Sequence, residues 1–243
     1  MRLGKSVIQS IQLDAIEQYP NELCGFVVNS KWVQLDNHHK DPVDNFKILS
    51  KNFIKYKDDN IQAVIHSHTI TKQCKNNTVD PRSPSIADQV SWKNTDLPWG
   101  ILATDGETAT DLIWLDDNNR PPLLGRSFIY GVYDCWSIIR DWYWMNYDID
   151  LLNIPRDHGW DYRGENLYED NLEACGLYHV SSADVHIGDI LFFKLGCSFY
   201  NHAAVYIGDN KIIHHFANRL SEECNYSKWQ QRASGYMRCK YLS

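Results

Sequence analysis

The sequence predicts two successive folds, an α/β N-terminal half and an α+β C-terminal half. Three observations predict this. Short apolar strands alternate with helical segments up to about residue 116, a polar, proline-containing stretch interrupts the chain there, and beyond it one long helix precedes a run of strands. The chain has 243 residues, enough for two compact domains.

In the first half, Val7, Ile8, Ile11, Ala15 and Ile16 recur at helical spacing after Ser6, and Pro20 stops the helix. Short strands are expected at 23–28, 32–35, 46–49 and 61–68. A polar loop over 69–84 then leads into a helix at about 85–92, followed by strands at 99–104 and 109–115. The boundary is Asp116-Asp117-Asn118-Asn119-Arg120-Pro121-Pro122, giving domains at 1–116 and 127–243 with a linker at 117–126. In the second half a helix is expected at 135–146, with Ile138, Ile139 and Trp142 on one face. Strands follow at 189–194, 202–207, 211–216 and 237–241.

Composition narrows the function classes. With 43% hydrophobic and 23% charged residues the chain reads as an ordinary globular protein. Its net charge of −7, with basic residues scattered, argues against a nucleic-acid partner. No stretch is long and apolar enough for a membrane span, and Met1-Arg2-Leu3-Gly4-Lys5 is not followed by the apolar core of a secretory signal, so synthesis in the cytoplasm is expected. Seven cysteines with irregular spacing and no C-x-x-C argue against a disulfide framework or a zinc ribbon.

Two constellations bear chemistry. In His66-Ser67-His68, at the end of a strand, residues two apart point to one face, so both imidazoles can meet one ion. Asp88, three residues after Ser85 at a helix start, can add a carboxylate. Two His, one Asp and a water make a hydrolytic zinc site, and Glu22 is the carboxylate left to shuttle a proton. Each part has a bland alternative: Ser-x-x-Asp is also a capping box, and most glutamates are simply solvated. Taken in this order, Glu22 in Pro20-Asn21-Glu22-Leu23-Cys24-Gly25, then His-x-His, then Ser-x-x-Asp, the first half resembles the JAMM metallopeptidases. The resemblance implies zinc on His66, His68 and Asp88, Glu22 as general acid/base and Ser85 stabilising the oxyanion. It departs at Thr69, where that family usually has Pro, and in a longer loop containing Cys74, which reads as a loop cysteine. His38-His39 reads as surface.

Cys135 follows Asp134, a good N-cap, so it falls in the first helical turn, where the helix dipole favours a thiolate. A nucleophilic thiol also needs a base that a third group orients. His202 opens a strand that turns at Gly208-Asp209-Asn210 and returns to His214-His215. A three-residue loop puts His214 on the face of His202, and a two-residue loop puts His215 there. Tyr133-Asp134-Cys135-Trp136-Ser137, Ile187-Gly188-Asp189-Ile190-Leu191-Phe192-Phe193 and His202-Ala203-Ala204-Val205-Tyr206-Ile207-Gly208 resemble the NlpC-type cysteine peptidases, papain-like enzymes that cut bacterial cell-wall stem peptides. This resemblance implies Cys135 as nucleophile, His202 as base, His214 as orienting residue and Tyr133 near the oxyanion. Trp136, where that family has a small residue, is expected to narrow the cleft.

The fusion of the two halves is similar to a family of tail-tip proteins of long-tailed phages. It implies a virion location at the tail tip, assembly in the host cytoplasm and action in the host periplasm. It also implies other tail-tip proteins as partners and cell-wall peptides as substrate. Two other readings compete: a structural tail-tip plug with little turnover, and a cytosolic isopeptidase that would leave the second half idle.

Overall fold

The protein is described from a computed structural model covering residues 3–70, 74 and 79–242. The chain divides into two compact units, Met1–Arg120 and Pro121–Ser243.

In the first unit α1 (Lys5–Gln18) is followed by β1 (Cys24–Val28), β2 (Lys31–Leu35), α2 (Ser50–Lys55), β3 (Ile61–Thr69), α3 (Ile86–Lys93), β4 (Trp99–Thr104) and β5 (Ile113–Leu115). The five strands order as β2-β1-β3-β4-β5, antiparallel except where β3 runs parallel to β4. Strand alternation sorts β3 into two faces. Ala63 and Ile65 pack with Ile11 and Ala15 of α1, Val27 and Leu102. Val64, His66 and His68 therefore point to the opposite face, where α3 supplies Asp88.

The strand expected at 46–49 is absent: the stretch joins no sheet, its Lys47 backbone bonding instead to the His38 N–H and the Asn37 side chain at 3.1 Å, and a short helix, α2, follows it. An apolar alternation there reflects Phe46 packing inward, its ring stacked on His66 at 4.4 Å, rather than a ladder. The expected strand at 109–115 shrinks to β5, with only a bridge from Thr104 to Ala109 before it. Of the loop expected at 69–84, residues 71–73 and 75–78 lie outside the described residues.

The second unit holds α4 (Cys135–Tyr147), α5 (Leu167–Asn171), β6 (Leu177–His179), β7 (Ile190–Phe193), β8 (His202–Gly208), β9 (Lys211–His214), β10 (Glu222–Asn225) and β11 (Ala233–Cys239). Its sheet orders as β10-β9-β8-β7-β11-β6, with every pair antiparallel. The buried face of α4, with Trp136, Ile138, Ile139, Trp142 and Tyr143, packs against Ile190, Phe192, Ala203, Val205 and Ile213. Leu191, Phe193, Ala204, Ile212 and Tyr236 form a second cluster on the other face. Gly188 and Asp189 are structural. Gly188 turns at φ +94°, and buried Asp189 accepts from the His186 backbone N–H and, at 2.8 and 2.9 Å, from the Arg238 guanidinium. Strands β6 and β10 and helix α5 have no periodic signal in the sequence. They are three to five residues long and half polar, so alternation has too few positions to register.

Candidate active sites in the two units

In the first unit His66 and His68 bring their Nε2 atoms to 3.1 Å of one another. Asp88 lies 3.4 Å from His66 through Oδ1 and 3.5 Å from His68 through Oδ2. Among the described residues these three form the cluster whose donor atoms all lie within 4.8 Å. The Nδ1–H of His68 donates to the Pro81 carbonyl at 2.8 Å, which aims its Nε2 at the cluster. Two imidazole nitrogens and a carboxylate oxygen, converging and largely dry, match the donor set of a hydrolytic zinc site. Burial would lower the His68 pKa, but the Asp88 carboxylate bonded to it and the nearby Glu22 charge raise it to about 9. Asp88 is held well below the usual carboxylate range by the two histidines, against its own burial.

The capping-box and site readings of Ser85 and Asp88 hold together. The Asp88 N–H donates to Ser85 Oγ at 3.1 Å, while Asp88 Oδ2 accepts both the Ser85 N–H and the Ser85 hydroxyl at 2.8 Å. Ser85 thus gives its hydroxyl proton to Asp88 at the wall of a cavity. Glu22 is buried and opens into the same cavity, and desolvation raises its pKa to about 8. That cavity, about 660 Å³, is lined by Glu22, Phe46, His68, Cys74, Ser85, Asp88 and Trp99 among others. Cys74 borders it without joining the donor cluster, and His38 is exposed.

In the second unit Cys135 is the first residue of α4. Asp134 caps the helix, accepting from the Trp136 and Ser137 N–H groups and, on its other oxygen, from Gly131. The Arg156 guanidinium grips both Asp134 oxygens at 2.6 and 2.7 Å. Burial alone would raise the Asp134 carboxyl, yet Arg156 and the backbone donors keep it low. Cys135 itself is 7% exposed. Its Sγ lies 3.1 Å from the Tyr168 hydroxyl and hydrogen-bonds the backbone of Ala203, the neighbour of His202. Against the thiolate that a helix N-terminus favours, desolvation and then the adjacent Asp134 charge push the thiol up to about 11.

His202 Nε2 meets His214 Nδ1 at 3.3 Å. The choice between His214 and His215 is made by a bulge. Asp209 and Asn210, both at positive φ, form a two-residue turn that pairs Gly208 with Lys211. Left alone, that turn would bring His215 to the face of His202. The register shifts between Tyr206 and Gly208, with Gly208 at φ +88°, so Tyr206 pairs with Ile212 and Ala204 with His214. The slip restores His214 to the face of His202. His215 instead turns its Nε2 to the Arg219 carbonyl at 3.1 Å. Burial and the two neighbouring histidines hold His202 well below the usual imidazole range.

The cleft around Cys135 and His202, about 100 Å³, is lined by Tyr130, Arg156, Trp160, Tyr168, His215 and Phe216 among others. Tyr133 is not among its lining residues: its ring lies beneath the Arg126 guanidinium, 5.6 Å away, and Tyr130 takes the place on the cleft wall. Trp136 does not narrow the cleft either. One residue beyond Cys135 on a helix faces elsewhere, and its indole N–H is spent on the Leu152 carbonyl at 3.0 Å, in the core. Tyr168 and Trp160, from the segment after α4, do the narrowing. Tyr168 and Arg156 had no sequence signal beyond the need of a buried Asp134 for a cation.

Cys135 at a helix N-terminus shares a cleft with His202, which pairs with a second histidine, and these are the side-chain types of a papain-like thiol hydrolase. Consistently, residues 125–238 match the NlpC/P60 family. The chain is 37% identical over 155 residues to "Tail tip assembly protein K" of Escherichia phage lambda, covering 63% of this chain and 74% of that one. It is 26% identical over 248 residues to the protein of the same name from Escherichia phage N15, covering 98% and 96%. The chain belongs to the family of these tail tip assembly proteins and has an NlpC/P60 cysteine peptidase domain. The NlpC/p60 domain of peptidoglycan hydrolase SagA aligns with 48% of this chain and 89% of its own at 17% identity and a TM-score of 0.33, too low to support further argument. Among the described residues no helix is long and apolar enough to cross a membrane.

Proposed function

We propose that the second unit is a cysteine endopeptidase that cuts peptide bonds in bacterial cell-wall stem peptides from a phage tail tip, as DNA enters the host. The observation that supports it best is that Cys135 and His202 line one cleft while His202 Nε2 pairs with His214 Nδ1 behind it. The Cys135 Sγ adds to the scissile carbonyl carbon, whose π electrons move to the oxygen, while the thiol proton passes to His202 Nδ1. The resulting imidazolium keeps its Nε2–H on His214 and gives the Nδ1 proton to the amine as the oxyanion re-forms the carbonyl and the C–N bond breaks. Water, giving a proton to His202, then adds to the thioester, the C–S bond breaks and the proton returns to Cys135. Both groups rest neutral, so the proton moves with the bond rather than before it. The test is digestion of defined muropeptides by wild type and by Cys135→Ala, read by mass spectrometry. Cleavage should fall at least ~10³-fold in the variant, and equal cleavage by both proteins would refute the assignment.

We infer further that the first unit is a JAMM-like zinc peptidase working in tail assembly, with other tail-tip proteins as its partners. His66, His68 and Asp88 would hold the ion, which would supply an activated water and a polarised carbonyl. Glu22 is placed in the same cavity, with a pKa raised into the range where it can take and return a proton near neutrality.

A second reading, a structural tail-tip plug with little turnover, is favoured by one observation. The cleft is small and the thiol is protonated and covered by Tyr168. Wild-type protein that is folded yet leaves muropeptides intact under reducing conditions would support the plug.

A further inference from the structure

Beyond His214 the hydrogen-bonded chain continues. His214 Nε2 lies 3.2 Å from the Cys224 sulfur and 3.8 Å from Glu222 Oε1. Both come from β10, whose register sets Glu222 directly opposite His214 and Cys224 opposite Ile212. The Trp229 side chain also hydrogen-bonds the Cys224 sulfur. An indole N–H can only donate, so this sulfur already serves as an acceptor.

The direction of these bonds decides whether the site can work. If the Cys224 thiol donated to His214 Nε2, the His214 proton would sit on Nδ1 and point at His202 Nε2. His202 would then hold its own proton on Nδ1, with no lone pair there for the Cys135 proton. The opposite polarity places a proton on His214 Nε2, facing a sulfur and a carboxylate. His214 Nδ1 then accepts from His202 Nε2–H, and His202 Nδ1 is bare. A negative charge 3.8 Å from Nε2 favours the N–H at that nitrogen, and it favours imidazolium formation along the chain as His202 takes up its proton. The other groups near His214 work against that second effect: burial, then His215 and Arg219, lower its pKa to about 4. Glu222 is the one carboxylate within 4 Å of the His214 ring nitrogens among the described ion pairs.

We propose that Glu222 and Cys224 are positioning residues of the peptidase site, fixing His214 as the Nε2–H tautomer and thereby baring His202 Nδ1 for the Cys135 proton. This rests on the cysteine-peptidase reading above. Two readouts keep the two claims separate. The first needs no turnover: long-range proton–nitrogen NMR of the ¹⁵N-labelled full chain. Wild type should show His214 protonated at Nε2, and Glu222→Gln combined with Cys224→Ala should show Nδ1–H or a mixture. The second is muropeptide kinetics. Glu222→Gln, at a half-exposed side chain, should lower kcat about tenfold with KM unchanged and move the acid limb of the pH profile, while Cys224→Ser retains most of the rate. An Nδ1–H tautomer in wild type, or a tautomer and kcat unchanged in the double variant, overturns the proposal. Failure of wild type to cleave while the tautomer shifts as described would sink the peptidase reading and leave the hydrogen-bond assignment standing.

Discussion

The two candidate sites solve opposite problems with similar parts. In the first unit charged and ionisable groups gather at a cavity of about 660 Å³, and the arrangement suits a positive charge at its centre. In the second the cleft is about 100 Å³, and burial disfavours the charged forms of both Cys135 and His202. A site gathered from charged groups can leave its electrostatics to an arriving ion. One built from buried groups that disfavour charge must settle each proton by hydrogen bonds within the protein, because a misplaced charge there is poorly screened.

The largest expected effect that sharpens this contrast is at Arg156. Arg156→Leu leaves Asp134 buried without its cation, and breaking such a pair costs about 3–5 kcal/mol. The loss should appear as a lowered melting temperature of the full chain and a collapse of Cys135 reactivity. A change under 1 kcal/mol would mean that the backbone N–H groups alone hold the carboxylate.

Next comes the metal. Purified protein should contain about one zinc per chain, and His68→Ala should lose it. Chelation should remove about 2–3 kcal/mol of stability where free zinc stands near a hundredfold above its Kd. Muropeptide cleavage should not change with chelation. If chelation stopped that cleavage, the separation between an ion-dependent and an ion-independent site would fail.

Gly208→Val tests the bulge. A β-branched residue at φ +88° is strained by about 1–3 kcal/mol, and relief by register slip would carry His214 off the face of His202. Cleavage should fall ten- to a hundredfold while zinc content stays constant.

The smallest effect concerns charge state. Burial and the Asp134 charge push the Cys135 thiol up to about 11, and a minor thiolate population is expected at neutral pH. Alkylation of Cys135 by iodoacetamide, followed on its own peptide by mass spectrometry, should be slow at pH 7 and climb about tenfold per pH unit toward pH 11. A rate flat between pH 6 and 9 would instead reveal a preformed thiolate–imidazolium pair.

What the sequence makes legible follows from periodicity. The long helix α4, the paired histidines of β3 and the β8–β9 hairpin each repeat a pattern over enough residues to be read. The strand expected at 46–49 is a false alternation, because a loop lays half-buried Phe46 on the His66 ring. The parity of His214 and His215 stayed open, since it depends on a one-residue bulge that leaves no mark except a glycine. Tyr168 and Arg156 act across 33 and 22 residues of chain on Cys135 and Asp134, a separation that no local pattern encodes. The same holds for Glu222 and Cys224, whose strand is too short to announce itself.

The covering of Cys135 by Tyr168 has a consequence for chemical lifetime. Peroxide and other oxidants attack the thiolate, and a sulfenic acid once formed goes on to forms that cannot be reversed. A residue that is 7% exposed, with burial pushing its thiol up to about 11, offers them little. On the cysteine-peptidase reading, Cys135 is therefore expected to survive exposure to air and to be most vulnerable when a bound substrate draws its proton onto His202.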